Sequence, residues 1–327
     1  MSNVSSKGKS LSPKPGVEHW ITRPTADGDI KLFLWQKART DAGSNAGSNA
    51  GSNVAPKRGT VLFVHGSSMA SRPTFDLEVP GRADSSPMDW FAARGFDTWT
   101  MDNEGYGRSD KHRDINCDIS NGADDLEAGT AYVLERNGGE PLLMYGISSG
   151  ALKAALFAQR HASRIAKIAL DAFVWTGEGS HTLAQRRKKL PDFLARNRRP
   201  IDRNFVRSIF SRDHPGTADA ATVEAFADAI LSLDDSMPTG TYVDMCANLP
   251  LLDPTRLLAP TLILRGEFDG IAGLDDLLDF YKLLPNNNKQ FSVMRGISHA
   301  SFQQKNYLMV YQILHSFFTM PEPFYKG

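Results

Sequence analysis

Residues 139–153 read Gly-Glu-Pro-Leu-Leu-Met-Tyr-Gly-Ile-Ser-Ser-Gly-Ala-Leu-Lys, and the order of features within them decides the fold. Leu142 to Tyr145 is a short apolar run of the kind that forms a buried strand. Ala151, Leu152, Ala155 and Leu156 follow at helical spacing. Between them lies Gly146-Ile147-Ser148-Ser149-Gly150, a G-x-S-x-G pentapeptide. A strand that turns straight into a helix over this pentapeptide predicts a nucleophile elbow. The turn forces Ser148 into a strained conformation, and a glycine two residues to either side lets strand and helix approach closely. The Ser148 hydroxyl is then held at the carboxyl end of the strand, with the Ser149 N–H at the positive end of the helix.

On both sides of this unit the chain alternates between strand and helix patterns. Thr60–Val64 is β-branched and aromatic, and Phe96–Met101 and Ile165–Leu170 are further strand runs. Ser86-Pro87 starts a helix and Gly95 stops it. A second helix runs from Ile119 through Leu126, Val133 and Leu134 to Asn137-Gly138-Gly139. Thr261–Leu264 and Lys289–Met294 are late strands, and Tyr307, Val310, Tyr311, Leu314, Phe317 and Phe318 share one face of a closing helix. At the front, Glu18–Thr22 and Ile30–Trp35 form a hairpin around Ala26-Asp27-Gly28-Asp29. This alternation predicts a doubly wound, mostly parallel α/β sheet. Residues 176–250 differ, with helical patterns and no intervening strand.

A chain of 327 residues accommodates one such core with an inserted subdomain. The expected division is a mobile segment over 1–15, core over 16–174, an inserted helical region over 175–250 and core again over 251–327. Ala-Gly-Ser-Asn occurs three times from Ala42 to Asn53, which makes 41–56 a flexible loop by composition. Lys plus Arg and Asp plus Glu both number 37, which argues against a nucleic-acid partner recruited by bulk charge. No apolar run is long enough to span a membrane, and no signal-peptide pattern opens the chain, so a cytoplasmic location is expected. Cys117 and Cys246 have no metal-ligand spacing and read as buried free thiols. Oligomeric state has no signature here.

With the elbow in place, the chain from about Gly59 onward resembles the α/β-hydrolase superfamily. The resemblance implies an ordered set of parts. A strand followed by His65-Gly66-Ser67 leads into an oxyanion loop, so Ser67, with Ser149, is expected to offer backbone N–H groups to a developing negative charge. His65 reads as structural at its strand end. Asp102-Asn103-Glu104-Gly105-Tyr106-Gly107-Arg108-Ser109 matches the family's Asp-x-x-Gly-x-Gly-x-Ser loop, in which Asp102 braces neighbouring backbone. The helical region over 175–250 occupies the place of a cap over the active site. The family order Ser, acid, His is met by Ser148, Asp269 and His299, each just past a strand end. Asp171, one strand earlier, is the rival acid, and Glu267 is expected to point away. Met69 and the Phe75 region, Ile147 and Trp175 are the expected pocket residues.

A serine hydroxyl needs a base within hydrogen-bond reach, imidazole suits that task, and a carboxylate orients it. Serine rather than aspartate at the elbow directs the resemblance toward acyl transfer to water. The expected activity is hydrolysis of a small carboxylic ester through an acyl-enzyme. Amide, lactone or β-diketone-type carbon–carbon cleavage with the same triad are alternatives, and a non-catalytic ligand receptor is a reading from another class. No metal ligands and no phosphate-cradling loop are apparent, so no metal or cofactor is implied. Between Ala184 and Arg212 stand ten basic residues against two acidic ones, Asp192 and Asp202, a local excess of +8 in a neutral chain. That excess is either a solvated helical face or a steering surface for a substrate with an anionic group.

Overall fold

The apolar runs pair into one sheet. Its first half comprises β1 (Val17–Arg23), β2 (Ile30–Lys37), β3 (Gly59–Val64), β4 (Phe96–Met101), β5 (Leu142–Ile147) and β6 (Ile165–Asp171). After a long excursion, β9 (Thr261–Gly266) and β10 (Lys289–Met294) complete it. The eight strands lie in the order β1-β2-β4-β3-β5-β6-β9-β10. β1 pairs antiparallel with β2 and β2 antiparallel with β4, while every later pairing is parallel. This computed structural model describes residues 15–40 and 56–325. Residues 1–14 and the whole Ala-Gly-Ser-Asn repeat therefore lie outside the described residues.

Helices cover both faces, as a mostly parallel sheet requires. On one face pack α3 (Ile119–Asn137), α4 (Ser149–Arg160) and α10 (Leu274–Leu283), through Leu126, Val133, Leu152, Phe157, Leu277 and Phe280. On the other pack α2 (Pro87–Ala92) and α11 (Tyr307–Thr319), through Met88, Phe91, Val310, Tyr311 and Leu314. The ends are set locally. Ser86 Oγ accepts the Asp89 N–H to start α2, and Gly138 at φ 86° ends α3. A short α1 (Ser71–Phe75) follows β3.

Between β6 and β9 the chain forms α5 (His181–Arg187), α6 (Leu190–Leu194), α7 (Arg203–Ser211), α8 (Ala220–Leu231) and α9 (Gly240–Val243). The expectation of helices alone is corrected here. β7 (Arg198–Pro200) and β8 (Ser236–Pro238) pair antiparallel as a separate small sheet. Each is three residues long and ends in proline, too short to show a period-two pattern in sequence. The segment is tied to the core by polar contacts as well as apolar ones. Asp234 accepts the Gly107 N–H at 2.9 Å and pairs with Lys111 at 2.6 Å. Val206, Phe210, Phe226 and Ile230 pack with Met69, Leu77 and Tyr106. No helix of the described residues is long and apolar enough to cross a membrane.

The crossing of β5 and α4 leaves no room for a side chain at two positions. A Cβ on Gly146 would lie 2.5 Å from the Gly150 carbonyl oxygen, and one on Gly150 would lie 2.3 Å from the Val64 oxygen and 2.5 Å from that of His65. Those neighbours are backbone and cannot swing aside. Gly150→Ala is therefore expected to cost about 3 kcal/mol or more, at or above the upper end of ordinary overpacking. Gly138→Ala, whose Cβ would meet open space, should cost only about 1–2 kcal/mol for its left-handed backbone. Urea denaturation of the two variants measures the gap, and equal losses would show that close approach is not the constraint.

Candidate active site

Ser148 sits between β5 and α4 at φ 57°, ψ −128°, a conformation that side chains other than glycine rarely adopt. Its own N–H donates to the Asp171 carbonyl at 2.8 Å, which locks the turn to β6. The hydroxyl is thereby lifted off the sheet and lies 3.0 Å from His299 Nε2. His299 follows β10, and its Nδ1 lies 3.0 Å from Asp269 Oδ2 and 3.2 Å from Oδ1. Asp269 follows β9, and its Oδ1 also accepts the N–H groups of Ile271 and Ala272 at 2.8 and 3.2 Å. An ionised carboxylate can only accept, so His299 Nδ1 carries the hydrogen and Nε2 offers its lone pair to the Ser148 O–H.

Burial pushes the Asp269 carboxyl up, but the His299 charge and hydrogen bond, with the two backbone donors, outweigh it and hold it below the ordinary carboxylate value. Asp171 is the opposite case. Burial is the main cause and the nearby Asp269 charge adds to it, so its carboxyl is pushed up to about 7 despite opposing contacts from Tyr145 and Ser301. Its Oδ2 accepts the Tyr145 O–H at 2.6 Å, and it makes no hydrogen bond to His299. Glu267 is exposed and accepts the Gly296 N–H at 2.8 Å, bracing the turn that leads to His299.

The loops around Ser148 are held by hydrogen bonds. Asp102 accepts the N–H groups of Ser71 and Arg108 at 2.7 and 2.9 Å. His65 Nδ1 lies 2.8 Å from the Gly66 carbonyl, and Nε2 accepts the Asn103 N–H at 3.0 Å. Its ring is fully buried and engaged at both nitrogens, as a structural histidine should be. Ser67 and Ser149 meet through their hydroxyls, with Oγ to Oγ at 2.7 Å. Ser149 is the first residue of α4, so its N–H belongs to the group that finds no acceptor within the helix.

The space over Ser148 is small, about 10 Å³, on the order of one water molecule. Ser67, Ser68, Met69 and His299 line it from the core, and Arg186, Ile209, Arg212 and Tyr242 line it from the segment between β6 and β9. Three expected pocket residues are elsewhere. Ile147 and Phe75 are buried in the apolar layer with Tyr145 and Phe302, because alternate residues of β5 and the end of α1 face that layer. Trp175 is turned away: its indole donates to the Leu252 carbonyl at 3.0 Å and meets Phe280 edge-on. Arg186 and Arg212 stood out only as members of the basic run, and Ser68, Ile209 and Tyr242 carried no local signal, since nothing in an amphipathic pattern says which face covers a distant serine. A larger cavity of about 880 Å³ lies between α1 and α8 and does not reach Ser148.

A family model described as "Hydrolase_4: Serine aminopeptidase, S33" matches residues 55–306. No curated protein matches the sequence. Among solved structures, a monoglyceride lipase from Saccharomyces cerevisiae aligns with a TM-score of 0.66 at 18% identity, covering 97% of this chain and 98% of that one. A thermophilic esterase from Thermogutta terrifontis aligns with a TM-score of 0.64 at 18% identity, covering 92% and 97%. A monoacylglycerol lipase from Paleococcus ferrophilus aligns with a TM-score of 0.60 at 17% identity, covering 88% and 98%. At these identities the shared property is the fold.

The Asp171 environment has a measurable consequence. Its folded-state value of about 7 lies above the ordinary 3.8, so the native state binds the extra proton between those limits. Stability is then greatest at the acid end of that window and falls as pH rises through about 7. Asp171→Asn supplies the uncharged form permanently. This variant should lose less stability than the parent between pH 5 and pH 8, as read by urea midpoints at each pH. An unchanged slope would mean that Asp171 is ionised throughout.

Proposed function

Because the chain belongs to the Hydrolase_4 family, serine aminopeptidase S33, of the α/β-hydrolase superfamily, we propose that it hydrolyses a small carboxylic ester with Ser148, His299 and Asp269 as its catalytic residues. The observation that carries this reading is the unbroken relay from Ser148 Oγ to His299 to Asp269, at 3.0 Å in each step, on a strained elbow. Ser148 Oγ attacks the ester carbonyl carbon while His299 Nε2 takes its proton. The carbonyl oxygen becomes an oxyanion, to which the N–H groups of Ser67 and Ser149 are offered. Collapse expels the alcohol, which leaves with the proton from His299, and Ser148 is left as an acyl ester. Water, deprotonated by the same imidazole, releases the acid and restores the serine. Asp269 stays ionised and stabilises the imidazolium formed in both halves.

The family's description names aminopeptidases, which must accommodate a free N-terminal ammonium close to the scissile bond. Among the described residues, the space over Ser148 is lined by two arginines, Arg186 and Arg212, and by no carboxylate, Asp269 standing behind His299. Like-charge repulsion disfavours an ammonium there, and this supports the ester reading over the peptide one.

Ser148→Ala should lower ester turnover by on the order of a million-fold, because members of such a unit fail together. Asp269→Asn should lower it about 10⁴-fold by favouring the wrong imidazole tautomer, whereas Asp171→Asn should leave it within a few-fold. Turnover of short-chain 4-nitrophenyl esters, with and without a fluorophosphonate, measures all three. Undiminished activity in folded Ser148→Ala protein, or a parent enzyme that neither turns over esters nor labels at Ser148, would sink this reading.

A further inference from the structure

Seven of the ten basic residues over 184–212 fall into two sets once folded. Arg203 and Arg207 pair with Glu224, and Arg203 also with Asp228. Arg187 donates to the Cys246 carbonyl, and Arg198 to the Gly105 and Ser236 carbonyls. Those cations are matched on the surface or cap backbone oxygens. Arg186 and Arg212 instead line the space over Ser148. Arg199 stands behind them, 91% buried, with its Nη2 donating to Ser68 Oγ at 2.8 Å.

The second set is short of hydrogen-bond acceptors. Arg212 Nε and Nη2 are sequestered from solvent with no hydrogen-bond partner, and the nearest carboxylate oxygen, Asp213 Oδ2, lies 3.4 Å from Nε without aligning to it. Arg186 rests over the Tyr242 ring at 4.5 Å, and Arg199 approaches the same ring at 4.4 Å. Tyr242 Oη is 3.1 Å from Ser68 Oγ. Burial pushes the Tyr242 phenol up, but the three guanidiniums overcome it and draw its value down to about 7. Asp213, Asp269 and Tyr242 all act on Arg212 electrostatically, yet none of them accepts a hydrogen bond from its Nε or Nη2. Burying guanidinium N–H groups without acceptors is costly, and the oxygens of a bound anion relieve that cost.

We infer that Arg186 and Arg212 form a carboxylate subsite in the space over Ser148, and that the preferred substrate is an ester whose acyl part carries a free carboxylate. This rests on the ester-hydrolase reading above and names its substrate class. A carboxylate offers two in-plane oxygens to a guanidinium fork. The closed space over Ser148 requires side chains to yield as an acyl group enters. Arg212 is 21% exposed and Arg186 is half-buried, so both heads can shift while still facing the anion. Arg199 acts through Ser68 and Tyr242 as a positioning residue.

The test compares kcat/KM for monoethyl succinate and diethyl succinate, measured as ethanol released at initial rate by the full chain. The parent enzyme should favour the monoester by about ten- to a hundred-fold, the range for a charge-assisted contact. Arg186→Gln and Arg212→Gln should each move that ratio toward one, and the ratio cancels any loss common to both substrates. If Arg212→Gln does not fold, Arg186→Gln and Arg212→Lys give the same comparison. A parent enzyme that turns over the diester as well as or better than the monoester overturns the subsite and leaves the ester-hydrolase reading standing. If neither succinate is turned over, calorimetric binding to Ser148→Ala decides. Tighter binding of monoethyl than diethyl succinate, weakened by Arg212→Gln, upholds the subsite, and equal binding overturns it.

Discussion

The close crossing of β5 and α4 at Gly146 and Gly150 is the constraint on which the rest of the site depends. It holds Ser148 at φ 57°, a placement that costs about 1–2 kcal/mol for a residue with a side chain. Such strain persists only where the surroundings over-determine it. Here the Val64 and His65 carbonyls stand where a Cβ on Gly150 would sit, and the Ser148 N–H is held by the Asp171 carbonyl. One turn therefore does three things: it lifts the hydroxyl off the sheet, aims it at His299, and opens α4 at Ser149, whose hydroxyl meets that of Ser67.

Neighbouring parallel strands end side by side, and that geometry delivers two carboxylates to one region. Asp171 closes β6, and Asp269 follows β9, its direct neighbour in the sheet. Both are buried, so burial alone would push both carboxyls up. Asp269 escapes because it receives two backbone N–H groups and the His299 Nδ1–H, whereas Asp171 meets the Tyr145 hydroxyl. Each charge also raises the cost of ionising the other, so the pair divides into one acid ionised at ordinary carboxylate pH and one that keeps its proton up to about pH 7. The choice between the two rests on which one meets the imidazole.

The segment between β6 and β9 closes the site with side chains of uneven character. Ile209 is apolar, Tyr242 is a phenol, and Arg186 and Arg212 are cations. Other arginines of the same run are consumed by Glu224, Asp228 and backbone carbonyls. A net charge of zero over the whole chain thus conceals a local imbalance that sits over the serine. Its stabilisation depends on partners from α9 and from the loop after β3, because Tyr242 and Ser68 are what the arginines stack on and bond to.

The amino-acid sequence by itself determined the order of strands and helices in the sheet-forming parts. Apolar runs, a serine cap with proline and glycine stops act over a few residues, so β5, α4, α2 and the strand before His299 are visible locally. It also named Ser148, Asp269 and His299, since each stands in a short motif just past a strand end. Only the tertiary structure decided that Asp269 rather than Asp171 faces His299, because that depends on side-chain direction at adjacent strand ends. The same holds for β7 and β8, whose pairing joins residues near 199 to residues near 237, and for Trp175 and Ile147, which turn away from Ser148. Ten basic residues could be counted, but which of them cover the serine could not. Helical periodicity says that one face is buried and never against what, and that question is answered only when distant segments pack.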